Sequence, residues 1–179
     1  MKYPIEIKRK LFEAIVPVQC GNNKGTAFFI KEDTLLTARH IFEDYAIDNE
    51  EVYIRVNNKR IKCQIENIVE EENSIDVILL KTDAYKHGYW LSLLSAVFNE
   101  ERALCIMGYP KEIVNGEDII SIDVHDRIGT TRQDFDTAVV RTDSLALESY
   151  KGFSGSPVLN EKGSVIGVAL KQISGSLGY

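Results

Sequence analysis

Short stretches in which apolar and polar residues alternate, with turns between them, run through most of this 179-residue chain. Apolar residues occupy every second position from Val52 to Val56 and again from Ile61 to Ile65, on either side of the polar segment Asn57-Asn58-Lys59. A period of two on both sides of a turn predicts a β-hairpin. A second hairpin is predicted where residues 157–159 and 165–170 flank a polar turn. Many short strands separated by turns indicate a barrel or a sandwich.

The sequence also predicts five further strands and two short helices. Further strands are predicted at Thr26–Lys31, Asp76–Lys81, Leu104–Met107, Ile119–Val124 and Thr137–Arg141. A short N-terminal helix is predicted because four apolar residues share one helical face, namely Ile7, Leu11, Phe12 and Ile15. A second short helix is predicted to begin at His40 and to run towards Tyr45.

Composition limits the class of protein. A net charge of −6 offers no basic surface for nucleic acid, and no apolar run approaches the ~20 residues of a membrane span. Charged residues interrupt the first twenty positions, which argues against a secretory signal. Cys20, Cys63 and Cys105 form no close pair, so free thiols in the cytoplasm are predicted, with no metal site and no cofactor.

A histidine, an aspartate and a serine stand in segments whose chemistry is complementary. Ser154 lies in Gly152-Phe153-Ser154-Gly155-Ser156-Pro157, His40 ends Thr37-Ala38-Arg39-His40, and Asp76 precedes an apolar strand. A serine hydroxyl becomes a nucleophile when a neutral imidazole takes its proton, and a carboxylate can orient that imidazole. We therefore predict His40 as the base, Asp76 as its partner and Ser154 as the nucleophile. The backbone N–H groups of Gly152 and Ser154 are the predicted oxyanion donors.

These segments resemble those of the trypsin-like (chymotrypsin-fold) serine peptidases. Gly25–Ile30 is similar to the family's G-S-G-F-L-I, residues 37–40 to T-A-A-H, residues 76–80 to D-I-A-L-L, residues 152–157 to G-D-S-G-G-P, and Gly108-Tyr109-Pro110 to G-Y-P. Several matches in the family's order are more specific than any one of them. The resemblance covers about residues 25 to 170.

The resemblance implies an all-β fold of two six-stranded antiparallel β-barrels in one peptidase domain, residues 1–179. The first barrel would span about residues 15–85 and the second about residues 100–179, with the catalytic residues at their seam. The family places an extended linker between the barrels, whereas Trp90, Leu93, Leu94, Val97 and Phe98 have helical spacing. Both interpretations of that stretch remain open.

One departure from the family concerns activation. Phe153 stands where the family's zymogens carry an aspartate that pairs with a freed N-terminal amine. A phenyl ring cannot accept that ion pair, so we expect packing or a partner to order the loop. The family's layout also implies a substrate pocket lined by Glu148, Thr131, Ala169 and Leu170, in which Glu148 would favour Lys or Arg.

The predicted function is that of a cytoplasmic serine endopeptidase acting on a specific intracellular protein. The compact, disulfide-free sequence resembles the trypsin-like domains of bacterial conflict and antiphage systems, which implies a role in defence. Such domains are fused to sensor domains, so a regulatory or sensor domain or partner is expected, and the chain is interpreted as an N-terminal piece of a longer protein. One alternative is a catalytically latent or silent peptide-binding or scaffold module with the same fold, and another is an esterase.

Overall fold

The computed structural model describes residues 3–42, 51–66, 76–95, 103–110, 119–130, 138–142 and 152–170. These residues form one α-helix, α1 (Ile5–Ala14), and a short 3-10 helix, Arg39–Phe42. They also form eleven strands, which are β1 (Ile15–Cys20), β2 (Asn23–Phe29), β3 (Thr34–Ala38), β4 (Val52–Val56), β5 (Lys59–Glu66), β6 (Val77–Thr82), β7 (Leu104–Gly108), β8 (Ile120–Thr130), β9 (Ala138–Thr142), β10 (Pro157–Asn160) and β11 (Val165–Val168).

Strands β1 to β6 close into an antiparallel barrel in the order β1-β2-β3-β6-β5-β4. The predicted hairpin of residues 52–65 is its β4–β5 pair, in which Val52 faces Cys63 and Val56 faces Lys59. Asn57 and Asn58 make the turn with φ of 48° and 62°. Asparagine tolerates this left-handed conformation better than most residues, and it matches the twist of a tight hairpin.

Two barrel strands, β1 and β3, were not predicted from the sequence. Ile15 is the first residue of β1, with φ −100° and ψ 128°, so its assignment to the face of the N-terminal helix was wrong. Phe12 is half exposed, so the buried face of α1 is carried by Leu11 and Ala14. Strand β3 has apolar neighbours on both sides and therefore lacks a period of two: Leu35 packs inside the barrel, and Leu36 packs outside it.

The described part of the second half is a five-stranded antiparallel sheet in the order β11-β10-β7-β8-β9. The predicted hairpin around residues 160–163 is its β10–β11 pair. The sheet is not closed over the residues that the structure describes, so the second six-stranded barrel is not part of the observed architecture.

The segment between the two sheets is extended in its described part, which ends at residue 95. Leu93 forms a parallel bridge with Val165, and the backbone of Leu94 and Val165 is hydrogen-bonded over 2.8 Å. The helical spacing around Trp90 therefore does not produce a helix there. Val97 and Phe98 lie outside the described residues.

Three clusters of buried side chains connect these parts. One fills the barrel, and one lies between the barrel, α1 and the second sheet, where Phe28 meets Leu159 and Cys105. The third belongs to the second sheet and includes Phe153 from the loop before β10. The second cluster joins the two sheets, so the ends of strands from both halves meet along one seam. No described helix is long and apolar enough to cross a membrane.

Candidate functional site

The pairing of β3 with β6 brings His40 and Asp76 together. Ala38 at the end of β3 lies opposite Val77 at the start of β6. His40 follows β3 by two residues, in the 3-10 helix, and Asp76 directly precedes β6. Because antiparallel partners meet at the same edge of the barrel, the two side chains start from adjacent positions. The predicted helix after His40 is this single 3-10 turn, and residues 43–45 lie outside the described part.

The three predicted catalytic side chains form one hydrogen-bonded chain. His40 Nδ1 lies 2.7 Å from Asp76 Oδ2, and His40 Nε2 lies 2.8 Å from Ser154 Oγ. The second carboxylate oxygen, Asp76 Oδ1, accepts a hydrogen bond of 2.9 Å from the backbone N–H of His40. Both oxygens of Asp76 therefore hold the same histidine.

Opposing effects act on the pKa of Asp76. Burial raises it, but hydrogen bonds from the His40 ring and backbone, the charge of the imidazolium and the backbone N–H of Arg39 lower it more. The net pKa lies below the ordinary value, so the carboxylate is ionised at neutral pH. An ionised Asp76 requires a proton on Nδ1, which leaves Nε2 free to accept the proton of Ser154.

The loop that carries Ser154 depends on two glycines with positive φ, 99° at Gly152 and 85° at Gly155. A side chain at Gly155 would also collide with the Thr26 carbonyl and the Thr37 hydroxyl. Only glycine combines that conformation with so close an approach. The loop can therefore lie directly against the end of the barrel.

Three consecutive carbonyl groups of this loop accept hydrogen bonds from within the protein. The Gly152 carbonyl accepts from the Thr26 hydroxyl at 2.7 Å, the Phe153 carbonyl from the Ser156 N–H at 2.9 Å, and the Ser154 carbonyl from the Thr26 N–H at 2.8 Å. By contrast, no hydrogen bond within the described residues uses the backbone N–H of Gly152 or Ser154. Within the described part, the protein itself therefore does not engage these two predicted oxyanion donors.

Phe153 is 5% exposed and packs in the third cluster with Leu104, Ile106, Ile122 and Val158. An apolar ring thus lies where the resemblance implied an aspartate. The expectation that packing orders this loop agrees with that burial, because an exposed loop position would not bury a phenyl ring.

The predicted substrate pocket is only partly described. Glu148 and Thr131 lie outside the described residues. Ala169 hydrogen-bonds the loop through its backbone, accepting from Gly155 N–H at 2.7 Å and donating to Ser156 O at 2.8 Å. Leu170 packs against the interior cluster of the barrel. These two residues support the nucleophile loop and the barrel in the part of the site that is described.

One residue that contacts the site was missed, although it lies in a motif that was recognised. Thr26 is fully buried and contacts the nucleophile loop through both its hydroxyl and its backbone. The sequence feature that could have indicated this role is a hydroxyl directly before the apolar residues 27–30. The other described histidine whose side chain is placed, His87, is buried and forms hydrogen bonds with Tyr85 and with the Glu13 carbonyl. Across the described ranges no group of His, Cys, Asp and Glu is arranged to hold a metal ion.

Comparisons with known proteins identify the family and the fold of this chain. A family model described as the trypsin-like peptidase domain matches residues 25–168. The inactive form of the Rv3671c protease, an M. tuberculosis protein, has a TM-score of 0.68 and 17% identity, with 93% of this chain and 82% of that one covered. Deg5 has a TM-score of 0.68 and 16% identity, with 93% and 83% covered.

The HtrA-type protease AlgW, solved with a tripeptide, has a TM-score of 0.62 and 17% identity, with 90% of this chain and 52% of that one covered. No curated protein sequence shows significant similarity to this chain. At such identities the solved structures show a shared fold. The mostly β, chymotrypsin-like fold is therefore confirmed, with one closed six-stranded barrel and a single α-helix in the described part.

Proposed function

Because this chain belongs to the trypsin-like peptidase family, we propose that it is an endopeptidase that hydrolyses peptide bonds through an acyl-enzyme on Ser154. The observation that carries this proposal is the continuous chain of short contacts from Asp76 through His40 to Ser154. The protein is a trypsin-like serine protease by family, and we propose proteins or peptides as its substrates. The roles of individual residues are our proposal.

The first half of the reaction forms the acyl-enzyme. Ser154 Oγ attacks the scissile carbonyl carbon while its proton passes to His40 Nε2, and the carbonyl oxygen becomes an oxyanion. The open N–H groups of Gly152 and Ser154 support its stabilisation at this point. Collapse of the intermediate breaks the C–N bond, and the imidazolium gives its proton to the leaving amine.

The second half releases the acyl group. A water molecule gives a proton to His40 Nε2 and attacks the ester carbon. The new intermediate breaks the bond to Ser154 Oγ, and that oxygen takes the proton back. Asp76 keeps its negative charge throughout, and it stabilises the imidazolium in both halves.

A fluorophosphonate tests this proposal without knowledge of the natural substrate. Ser154 Oγ would attack phosphorus and displace fluoride, which adds one phosphonyl group that intact mass detects. The wild type and Ser156→Ala should each gain a single adduct, while Ser154→Ala should gain none. Ser156→Ala is the matched control because it removes the other hydroxyl of the same loop. Failure of the wild type to react would contradict the proposal and favour a silent peptide-binding module.

An esterase would also form this adduct, so turnover of peptides must be compared with turnover of esters. We expect cleavage of both, because the two open N–H donors and the histidine acid suit a poor amine leaving group. Turnover of esters alone would favour the esterase alternative.

We further propose a single domain over residues 1–179, whose second half closes into a six-stranded barrel around the five described strands. The cluster shared by α1, the barrel and the second sheet supports one domain. The three cysteines are buried, and none of them is in a disulfide within the described part, which supports the proposed cytoplasmic location. A specific intracellular substrate, a regulatory or sensor partner and a defence role rest on the resemblance described above.

The proposed preference for Lys or Arg depends on Glu148. A peptide panel that differs only at the residue before the scissile bond tests it, and Lys and Arg should be cleaved at least tenfold faster than Leu or Glu. Equal rates for all four residues would contradict the assignment of Glu148 to the substrate pocket, but they would not affect the acyl-enzyme proposal.

A further inference from the structure

We propose that Thr26 is a positioning residue for the oxyanion site, and this inference rests on the proposed function. Its hydroxyl holds the carbonyl of the Gly152–Phe153 peptide, which lies between the two peptides that carry the N–H groups of Gly152 and Ser154. Fixing this middle peptide keeps both N–H groups directed towards the developing oxyanion. Thr26 itself does not touch the substrate. It acts from the barrel, through the loop.

The hydrogen bonds of the Thr26 hydroxyl allow only one direction of donation. Its oxygen accepts a hydrogen bond of 3.0 Å from the backbone N–H of Tyr109. An amide N–H cannot accept, so the hydroxyl proton must go to the remaining partner, the Gly152 carbonyl at 2.7 Å. The side chain is fully buried, which excludes water as a substitute. The Gly152 carbonyl is therefore held by a donor whose orientation is itself set by Tyr109.

This single side chain joins three parts of the fold. Thr26 belongs to β2 of the barrel, Tyr109 directly follows β7 of the second sheet, and Gly152 begins the nucleophile loop. A Cβ at Gly108 would collide with Ser156 Oγ and would lie 2.9 Å from Thr26 Oγ1. The hydroxyl is thus enclosed on the side of β7, and it cannot turn away from the loop.

Rotation of the Gly152–Phe153 peptide would carry several costs at once. The Gly152 carbonyl and the Thr26 hydroxyl proton would both lose their partner in a buried site. Buried polar groups without partners are strongly disfavoured. The neighbouring Phe153 and Ser154 carbonyls are held independently by Ser156 N–H and Thr26 N–H. Of these three carbonyl groups, the Gly152 carbonyl is the one that accepts its hydrogen bond from a side chain in the described part of the chain.

Substitution to valine tests the inference, since valine keeps the shape of threonine and removes only the hydroxyl. Loss of one oxyanion donor elsewhere costs about 10²–10³-fold in kcat. In Thr26→Val both N–H donors are still present but are less ordered, so the loss of kcat should be smaller. We expect kcat to fall about 10- to 100-fold, with KM changed less than threefold. Thr26→Ser retains the hydroxyl and should recover most of the rate.

A matched control separates this positioning role from simple loss of a buried hydroxyl. Thr82 is also buried, and its hydroxyl donates to the Tyr85 carbonyl at 2.5 Å, away from the nucleophile loop. Thr82→Val should lower the melting temperature without lowering kcat of the folded protein more than twofold. Rates are normalised to the folded fraction measured by circular dichroism at the assay temperature.

A peptide boronate adds a readout that a purely structural role would not change. Boron bonded to Ser154 Oγ places an oxygen at the proposed oxyanion position, whereas a product peptide does not. Thr26→Val should weaken the boronate at least tenfold and the product peptide less than threefold. Equal effects on both ligands, or unchanged kcat in folded Thr26→Val, would overturn the inference. A wild type that does not react with a fluorophosphonate would instead overturn the proposed function.

Discussion

Replacement of Asp76 by asparagine should inactivate the site through the wrong tautomer of His40. Both carboxylate oxygens accept hydrogen bonds from that histidine, Oδ2 facing Nδ1 at 2.7 Å and Oδ1 facing the backbone N–H at 2.9 Å. An amide has one oxygen and one NH₂ group, so it cannot accept both. The backbone N–H can only donate, and the asparagine oxygen should therefore turn towards it.

The NH₂ group of the substituted residue would then face His40 Nδ1. Two donors cannot pair, so Nδ1 must lose its proton and the neutral ring must carry it on Nε2. That nitrogen faces Ser154 Oγ at 2.8 Å in the wild type. A protonated Nε2 cannot accept the serine proton, and the nucleophile is not activated.

The size of the effect follows from charge and tautomer together. A carboxylate and an imidazolium about 4 Å apart attract by about 4 kcal/mol at an effective dielectric constant of ~20. The His40 side chain is 29% exposed and the Asp76 side chain is 37% exposed, so solvent screening reduces this attraction. Every 1.36 kcal/mol corresponds to about tenfold in rate, which gives up to ~10³-fold from charge. The wrong tautomer of His40 lowers the rate further, and we expect a total loss of rate of about 10³–10⁴-fold.

The second-order rate of fluorophosphonate labelling at pH 7, followed by intact mass, measures this loss. Asp83→Asn is the matched control, because Asp83 is an exposed carboxylate that accepts a hydrogen bond from Gln64. It should react at the wild-type rate. If folded Asp76→Asn labelled within tenfold of the wild type, the argument from the tautomer would be wrong.

Further predictions concern pH, packing and the loop. Since the pKa of Asp76 is lowered in the folded state, its contribution to stability is present above its unfolded pKa of about 3.9 and is lost as pH falls through the folded pKa. The stability difference between wild type and Asp76→Asn in urea should thus shrink as pH falls towards 3, and a constant difference would contradict it. Phe153→Ala should lower the free energy of unfolding by about 3–5 kcal/mol and abolish fluorophosphonate labelling of the remaining folded protein. Ser156 Oγ is buried without a partner in the described part, so Ser156→Ala should be neutral or up to about 1 kcal/mol more stable in urea. Gly108→Ala should unfold at lower urea concentration, because its Cβ would collide with that oxygen.

The triad could be predicted because its residues lie in short local motifs. His40 follows Thr37-Ala38 at the end of a strand, and Ser154 lies between two glycines, so the chemistry is visible without tertiary structure. The register between β3 and β6 could not be predicted, although it is what places Asp76 beside His40. Strand β3 itself was missed, because the adjacent Leu35 and Leu36 both pack against apolar clusters and its sequence therefore lacks alternation.

The role of Thr26 illustrates a second limit. In sequence it is one hydroxyl directly before the apolar residues 27–30. Nothing local shows that it lies 2.7 Å from the carbonyl of Gly152, a residue 126 positions away. Such partners follow from the packing of the two sheets. The same holds for Phe153, whose identity excluded an ion pair but did not reveal which cluster would bury it.

The energies at the nucleophile loop explain why these two contacts matter together. Ordering the backbone of residues 152–154 costs about 3–6 kcal/mol in conformational entropy. Burial of the Phe153 ring contributes about 3 kcal/mol, and the three carbonyl hydrogen bonds contribute about 1 kcal/mol each. The two sums nearly cancel, so the loop is ordered by a small margin. Loss of the Phe153 ring should exceed that margin, and the protein would then retain His40, Asp76 and Ser154 without an ordered oxyanion site. Loss of the Thr26 hydroxyl, at about 1 kcal/mol, should reduce the margin and leave the same site partly ordered.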